Sequence, residues 1–111
     1  MKTLILSCIG VLLIATTTPT HHVATWYNMH GSRTASGAIM HRDSLTAAYN
    51  SARFGTRLEV TNPITAAKCT VTVNDRMGVQ ASNHIDLSYA AFGRIAKHAA
   101  GRISVTVRKL N

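Results

Sequence analysis

Twelve lysines and arginines against four carboxylates, a formal charge of +8 on 111 residues, leave room for one domain and favour anionic partners. The bases are scattered from Arg33 to Lys109, with no nucleic-acid-binding motif and no basic stripe interleaved with aromatics. An envelope polymer or membrane surface is therefore the expected partner, and nucleic acid is not. Met1 and Lys2 make a short positive start, Thr3 to Ala15 is an apolar run, and Thr16 to Thr20 is small and polar around Pro19. That order is the one a secretory signal needs, so residues 1–20 are expected to be a signal peptide cut near Thr20 and residues 21–111 the exported domain. The run is shorter than the about 18 residues of a membrane span, so no stable span is expected after cleavage, with an uncleaved anchor as the alternative. Cys8 lies too early to be a lipoprotein cysteine, and the periplasm or cell envelope is the expected compartment. The exported part keeps a single cysteine, Cys69, which has no intramolecular disulfide partner. A compact closed sheet held by its core, in a monomer, is expected over a loop-rich scaffold.

Val23 to Tyr27 reads as a first strand, followed by a Gly/Ser-rich loop through Gly37 and a short apolar piece, Leu45 to Tyr49. Phe54-Gly55-Thr56 turns into Arg57 to Thr61, where Leu58 and Val60 alternate with polar residues at the period of a half-buried strand. Asn62-Pro63 is a turn. In Lys68 to Asp75 the residues Cys69, Val71 and Val73 share one face, and Asp75 has their parity. Ile85 to Ser88 leads into an expected helix, Tyr89 to His98, with Ser88 as N-cap and Gly101 as its stop. Ile103 to Leu110 is a final β-branched strand. Short strands with one helix predict a small β-barrel of the mainly-β class.

The motifs "ATWYN…HGSRTASG", "LTAAYNSARFGTRLEVTN", "VTVNDR" and "IDLSYAAF" occur in the order seen in RlpA-like (rare lipoprotein A) double-psi β-barrel proteins, and the chain resembles that family from Val23 to Val107. The resemblance implies a six-stranded barrel with pseudo-two-fold crossed connections and an endolytic peptidoglycan transglycosylase activity. Such an enzyme cuts the MurNAc-GlcNAc β-1,4 bond with one carboxylic acid. The acid protonates the leaving oxygen and then, as base, helps the sugar's own 6-hydroxyl close an anhydro ring, unlike the two-carboxylate glycosidase scheme. No cofactor is implied. The alternative is a non-catalytic, expansin-like glycan-binding barrel, and a third reading is a basic envelope adaptor. The sequence departs from the family pattern at several points. The family glutamate is Ala38, the aspartate three residues later is His41, and the histidine after two alanines is Tyr49. The family's "NDRGPF" becomes Asn74 to Val79, and its arginine before "IIDLS" is replaced in the Asn83-His84 region.

Four carboxylates remain beyond the signal segment. Glu59 alternates outward from Leu58 and Val60, Asp43 reads as a solvated loop charge, and Asp86 by default ties the turn before the helix through backbone donors. Asp75 ends a strand on the inward parity beside Arg76; burial there favours the protonated form and the arginine the ionised one. With the resemblance, Asp75 is the expected catalytic residue. Trp26, Tyr27, Thr34, Ser36, His41, Tyr49, Arg76 and Asp86 are the expected glycan contacts. Of the two aromatics, Tyr27 beside the glycine-rich lip is the expected stacking wall. The six histidines (His21, His22, His30, His41, His84, His98) lack metal-ligand spacing and read as surface residues, with no metal expected. Cys69 reads as a buried small apolar residue.

Overall fold

The computed structural model describes residues 17–78 and 82–111, so the apolar run Thr3 to Ala15 lies outside the described residues. Six strands close into a barrel: β1 (Thr20–Tyr27), β2 (Thr46–Ala48), β3 (Arg57–Thr61), β4 (Lys68–Asp75), β5 (His84–Ser88) and β6 (Arg102–Lys109), with one helix, α1 (Tyr89–Ile95), before β6. The order around the barrel is β1-β5-β2-β4-β3-β6. The pairs β1–β5 and β2–β4 are parallel, and the remaining four are antiparallel. Exchanging β1, β2, β3 with β4, β5, β6 leaves every neighbour and every direction unchanged. The two halves of the chain are thus related by a pseudo-two-fold with crossed connections, the arrangement the resemblance implied.

Alternation builds the core. Cys69, Val71 and Val73 on β4, Leu58 and Val60 on β3, Ile85 and Leu87 on β5, and Val105 and Val107 on β6 all point inward and are buried. From α1, Ala91, Phe92 and Ile95 join the same cluster. Burial pushes the Cys69 thiol up to about 11, and its Sγ donates to the carbonyl of Ala91 at 3.5 Å. It behaves as a small core residue.

Ser88, fully buried, starts the helix. Its Oγ accepts from Ala91 N at 3.2 Å and donates to Ser44 O at 2.6 Å, tying the helix to the segment before β2. Ser88→Ala removes both contacts, and an expected loss of about 1–2 kcal/mol would appear as a lowered urea midpoint at unchanged slope.

The helix is shorter than expected. It stops at Ile95 rather than reaching His98, because Ala96 is extended (φ −163°, ψ 170°). The carbonyl of Ile95 is taken by the buried Asn62, whose Nδ2 donates to it at 2.9 Å. His98–Ala100 forms a separate 3-10 turn, and it is this turn that Gly101 closes at φ 68°. The His98 ring lies flat on Tyr89, with centroids 3.6 Å apart and planes within 5°, and Nε2 is 2.6 Å from Tyr89 O. A Cβ added at Gly93 would come within 2.8 Å of His98 Cε1.

Candidate functional site

The parallel register of β1 and β5 sets Thr25 beside Asp86 and Tyr27 beside Ser88. Ile85 and Leu87 face the core, so His84 and Asp86 face out, on the same side as Thr25. Strand β4 reaches the barrel rim at Asp75, where a register shift against β2 pairs it with Ala48. These ends enclose a groove of about 330 Å³ whose lining includes Tyr27, Met29, Asp75, Arg76, His84 and Asp86.

Asp75 is held by three donors. Its Oδ2 accepts from the Tyr27 hydroxyl at 3.0 Å, and its Oδ1 accepts from the backbone N–H groups of Ala35 and Arg76, each at 2.9 Å. The Ala35 contact comes from the lip, a tight loop closed by the bridge Arg33↔Ile39 and by Gly37 N donating to Thr34 O at 3.0 Å. Gly37 adopts φ 95°, which a side chain would resist. Thr34 is buried in this loop, with Oγ1 donating to Ala38 O at 2.9 Å and lying 2.9 Å from Ser36 Oγ. Ser36 N donates to Asn74 O, so the lip grips the end of β4 at two successive residues. Ala38 itself is exposed.

The guanidinium of Arg76 reaches the backbone carbonyl of Asp75 at 3.4 Å and does not pair with its carboxylate. Its Nη1 donates to Tyr49 O at 2.9 Å and its Cζ lies 4.0 Å over the Phe54 ring, and among the described residues it makes no ion pair. Tyr27 is raised far above the ordinary phenol range by burial first and then by the charge of Asp75 and the hydrogen bond to it. It is a fixed donor and not a base.

Asp86 departs from the default reading of a turn tie. It does not tie the turn before the helix; Thr25 Oγ1 donates to its Oδ1 at 2.8 Å and it lines the groove. Burial raises its pKa above the usual carboxylate range, the Thr25 bond and the charge of His84 oppose that shift, and the charge of Asp75 adds to it. His84 is a groove residue, not a bystander on the surface. His22 is buried, and Tyr49 turns into the barrel to meet it, its hydroxyl 2.8 Å from His22 Nε2.

Of the eight expected contacts, five lie in the groove or its lip together with Asp75, and three do not. Tyr27, Arg76 and Asp86 gather around Asp75, with Thr34 and Ser36 in the lip that holds it. Trp26, adjacent to Tyr27 on a strand and so facing elsewhere, packs edge-on against Tyr89 and His98 and donates Nε1–H to His98 O at 3.1 Å. Tyr49 reaches the groove only through its backbone, and His41 is exposed with its ring edge against His30. Asp43 is a solvated charge beside Arg42, and Glu59 is bracketed by Lys68 at 3.7 Å and Arg108 at 3.1 Å. Among the described residues no group of three or more His, Cys, Asp or Glu is placed to hold a metal, and no helix is long and apolar enough to cross a membrane.

A family model described as lytic transglycolase matches residues 20–107. The chain belongs to this RlpA-like lytic transglycosylase family. A Synechocystis protein named "Probable endolytic peptidoglycan transglycosylase RlpA" is 40% identical over 81 residues, 71% of this chain and 25% of that protein. The Vibrio cholerae "Endolytic peptidoglycan transglycosylase RlpA" is 36% identical over 86 residues, 76% of this chain and 33% of its own length. The chain thus spans a quarter to a third of these RlpA relatives. An uncharacterized Synechocystis protein is matched over 94% of its length at 37% identity. Among solved structures, a Clavibacter michiganensis expansin in complex with cellohexaose superposes with a TM-score of 0.70 at 26% identity, covering 85% of this chain and 51% of the expansin. The Streptomyces papain inhibitor superposes at 0.72 with 24% identity, over 86% of this chain and 96% of the inhibitor, which extends the likeness of fold alone. The crossed six-stranded barrel is the double-psi barrel of the family.

Proposed function

We propose that this RlpA-like barrel works outside the cytoplasm, cleaving peptidoglycan glycan strands by endolytic lytic transglycosylation with Asp75 as the acid/base. The observation that carries the reading is the Asp75 carboxylate, fixed in the groove by Tyr27, Ala35 N and Arg76 N, where the lip presents Ala38 instead of a carboxylate. The substrate is taken from the names of the RlpA relatives. Asp75 gives its proton to the glycosidic oxygen as the bond from C1 breaks. The 6-hydroxyl oxygen of the same sugar then bonds to C1, and its proton goes back to Asp75. The proton count closes and no water is consumed.

The raised pKa of Asp86 favours a division of labour within the same chemistry. Asp86 protonates the leaving oxygen, Asp75 takes the proton of the 6-hydroxyl, and the two carboxyls then exchange that proton. A carboxyl that burial holds in its protonated form is suited to the acid role. The absence of a carboxylate at Ala38 on the lip favours a different reading, a glycan-binding barrel without catalysis. Mass spectrometry of isolated glycan strands after incubation with the protein separates these. Products with 1,6-anhydro ends, lighter by one water than hydrolysis products, are expected. Retention of glycan with no new ends would establish the binding module, and hydrated ends would replace transglycosylation by hydrolysis.

A further inference from the structure

Two polar side chains at the groove, His84 and Thr25, take no part in the cleavage steps, yet both lead to Asp86. His84 Nε2 lies 2.8 Å from Thr25 Oγ1, and Thr25 Oγ1 lies 2.8 Å from Asp86 Oδ1. The parallel pairing places Val23 beside His84 and Thr25 beside Asp86, so the hydroxyl of β1 sits between two alternate residues of β5. A threonine hydroxyl has one proton to give. The three groups therefore have two arrangements. In one, His84 Nε2–H donates to Thr25, and Thr25 donates to Oδ1 of Asp86. In the other, a proton on Oδ1 is donated to Thr25, and Thr25 donates to an unprotonated Nε2.

We propose that His84 is a positioning residue that sets the direction of this chain: with its proton on Nε2, Thr25 donates into Oδ1 and the acid proton of Asp86 sits on Oδ2, the oxygen left to the groove. In the reverse direction that proton is turned away onto Thr25. A positively charged His84, which has N–H donors at both nitrogens, permits only the first arrangement.

The surroundings leave His84 and Asp75 as the charges that bear on Asp86. From β1 comes Tyr27, a neutral donor engaged with Asp75, and β2 offers only Ala48. Arg76 at the end of β4 is committed to Tyr49 O and Phe54, and Arg102 on β6 lies in register with Thr25. The inference rests on reading the groove as a proton-transfer site, but its test follows the carboxyl itself and needs no substrate.

The sequence has three aspartates, so 13C NMR of the full chain gives three aspartate side-chain carboxyl resonances beside those of Glu59 and the C-terminus, assigned by Asp43→Asn and Asp86→Asn. Thr25→Val is expected to move the Asp86 midpoint upward by roughly one unit, the scale of one lost hydrogen bond to a charged group. Thr25→Ser restores the hydroxyl and the wild-type midpoint. His84→Leu shifts Asp86 in the same direction as Thr25→Val; His84→Gln keeps an N–H donor without the charge and gives a smaller shift. Amide spectra establish that each variant is folded. An Asp86 midpoint unchanged in folded Thr25→Val or His84→Leu overturns the chain, even in a protein that releases anhydro products. The shifts, if present in a protein that releases none, uphold the chain and remove the catalytic reading alone.

Discussion

Asp75→Asn is expected to lower the release of 1,6-anhydro ends at least ~100-fold, the low end for losing general acid–base catalysis. Asparagine keeps the shape of the side chain, so the backbone donors of Ala35 and Arg76 retain an acceptor while the titrating proton is gone. Asp43→Asn should change little, since that carboxylate is exposed in solvent. Asp86→Asn tells the two proton schemes apart. A loss as large as that of Asp75→Asn means the carboxyls share the work, and a loss below about tenfold means that Asp75 acts alone. Ala38→Glu should raise the rate by returning a carboxylate to the lip. The assay is mass spectrometry of glycan products over time, and a wild-type rate in Asp75→Asn would sink the assignment.

Phe92→Ala is expected to cost about 3–5 kcal/mol, the range for emptying a fully buried aromatic site. Phe92 is completely buried in α1, which packs on β4, β1 and β5, and its ring joins helix to barrel. Small domains hold only about 5–15 kcal/mol in total, and among the described residues Cys69 is a free cysteine, so no disulfide there adds to that. The variant should therefore unfold at a clearly lower denaturant concentration than the wild type, read by circular dichroism. A shift worth under about 1 kcal/mol would mean that α1 does not seal the barrel.

The strands were legible wherever apolar residues alternate. Arg57–Thr61 and Lys68–Asp75 have the bounds their pattern predicts. Strand β1 extends three residues earlier than Val23, through Thr20, His21 and His22, because β6 supplies partners that no polar run can announce. The helix end was hidden for a similar reason: the group that takes the carbonyl of Ile95 is Asn62, distant in sequence. In the groove, the parity of β4 pointed to Asp75. The same parity on β5 sets His84 and Asp86 opposite Ile85 and Leu87, a pattern present in the sequence. What it lacked was the parallel neighbour: only the register with β1 shows that Thr25 meets both.

The Gly93–His98 contact constrains which substitutions this protein can accept. Glycine inside a helix is weaker than alanine by about 1 kcal/mol, so Gly93→Ala looks like a simple improvement of α1. The His98 ring forbids it, being pinned by Tyr89 beneath, Trp26 at its edge and the carbonyl of Tyr89 at Nε2. A side chain at position 93 therefore requires the ring to move or to be replaced. Positions 93 and 98 are thus coupled, and a double substitution can be tolerated where Gly93→Ala alone is not.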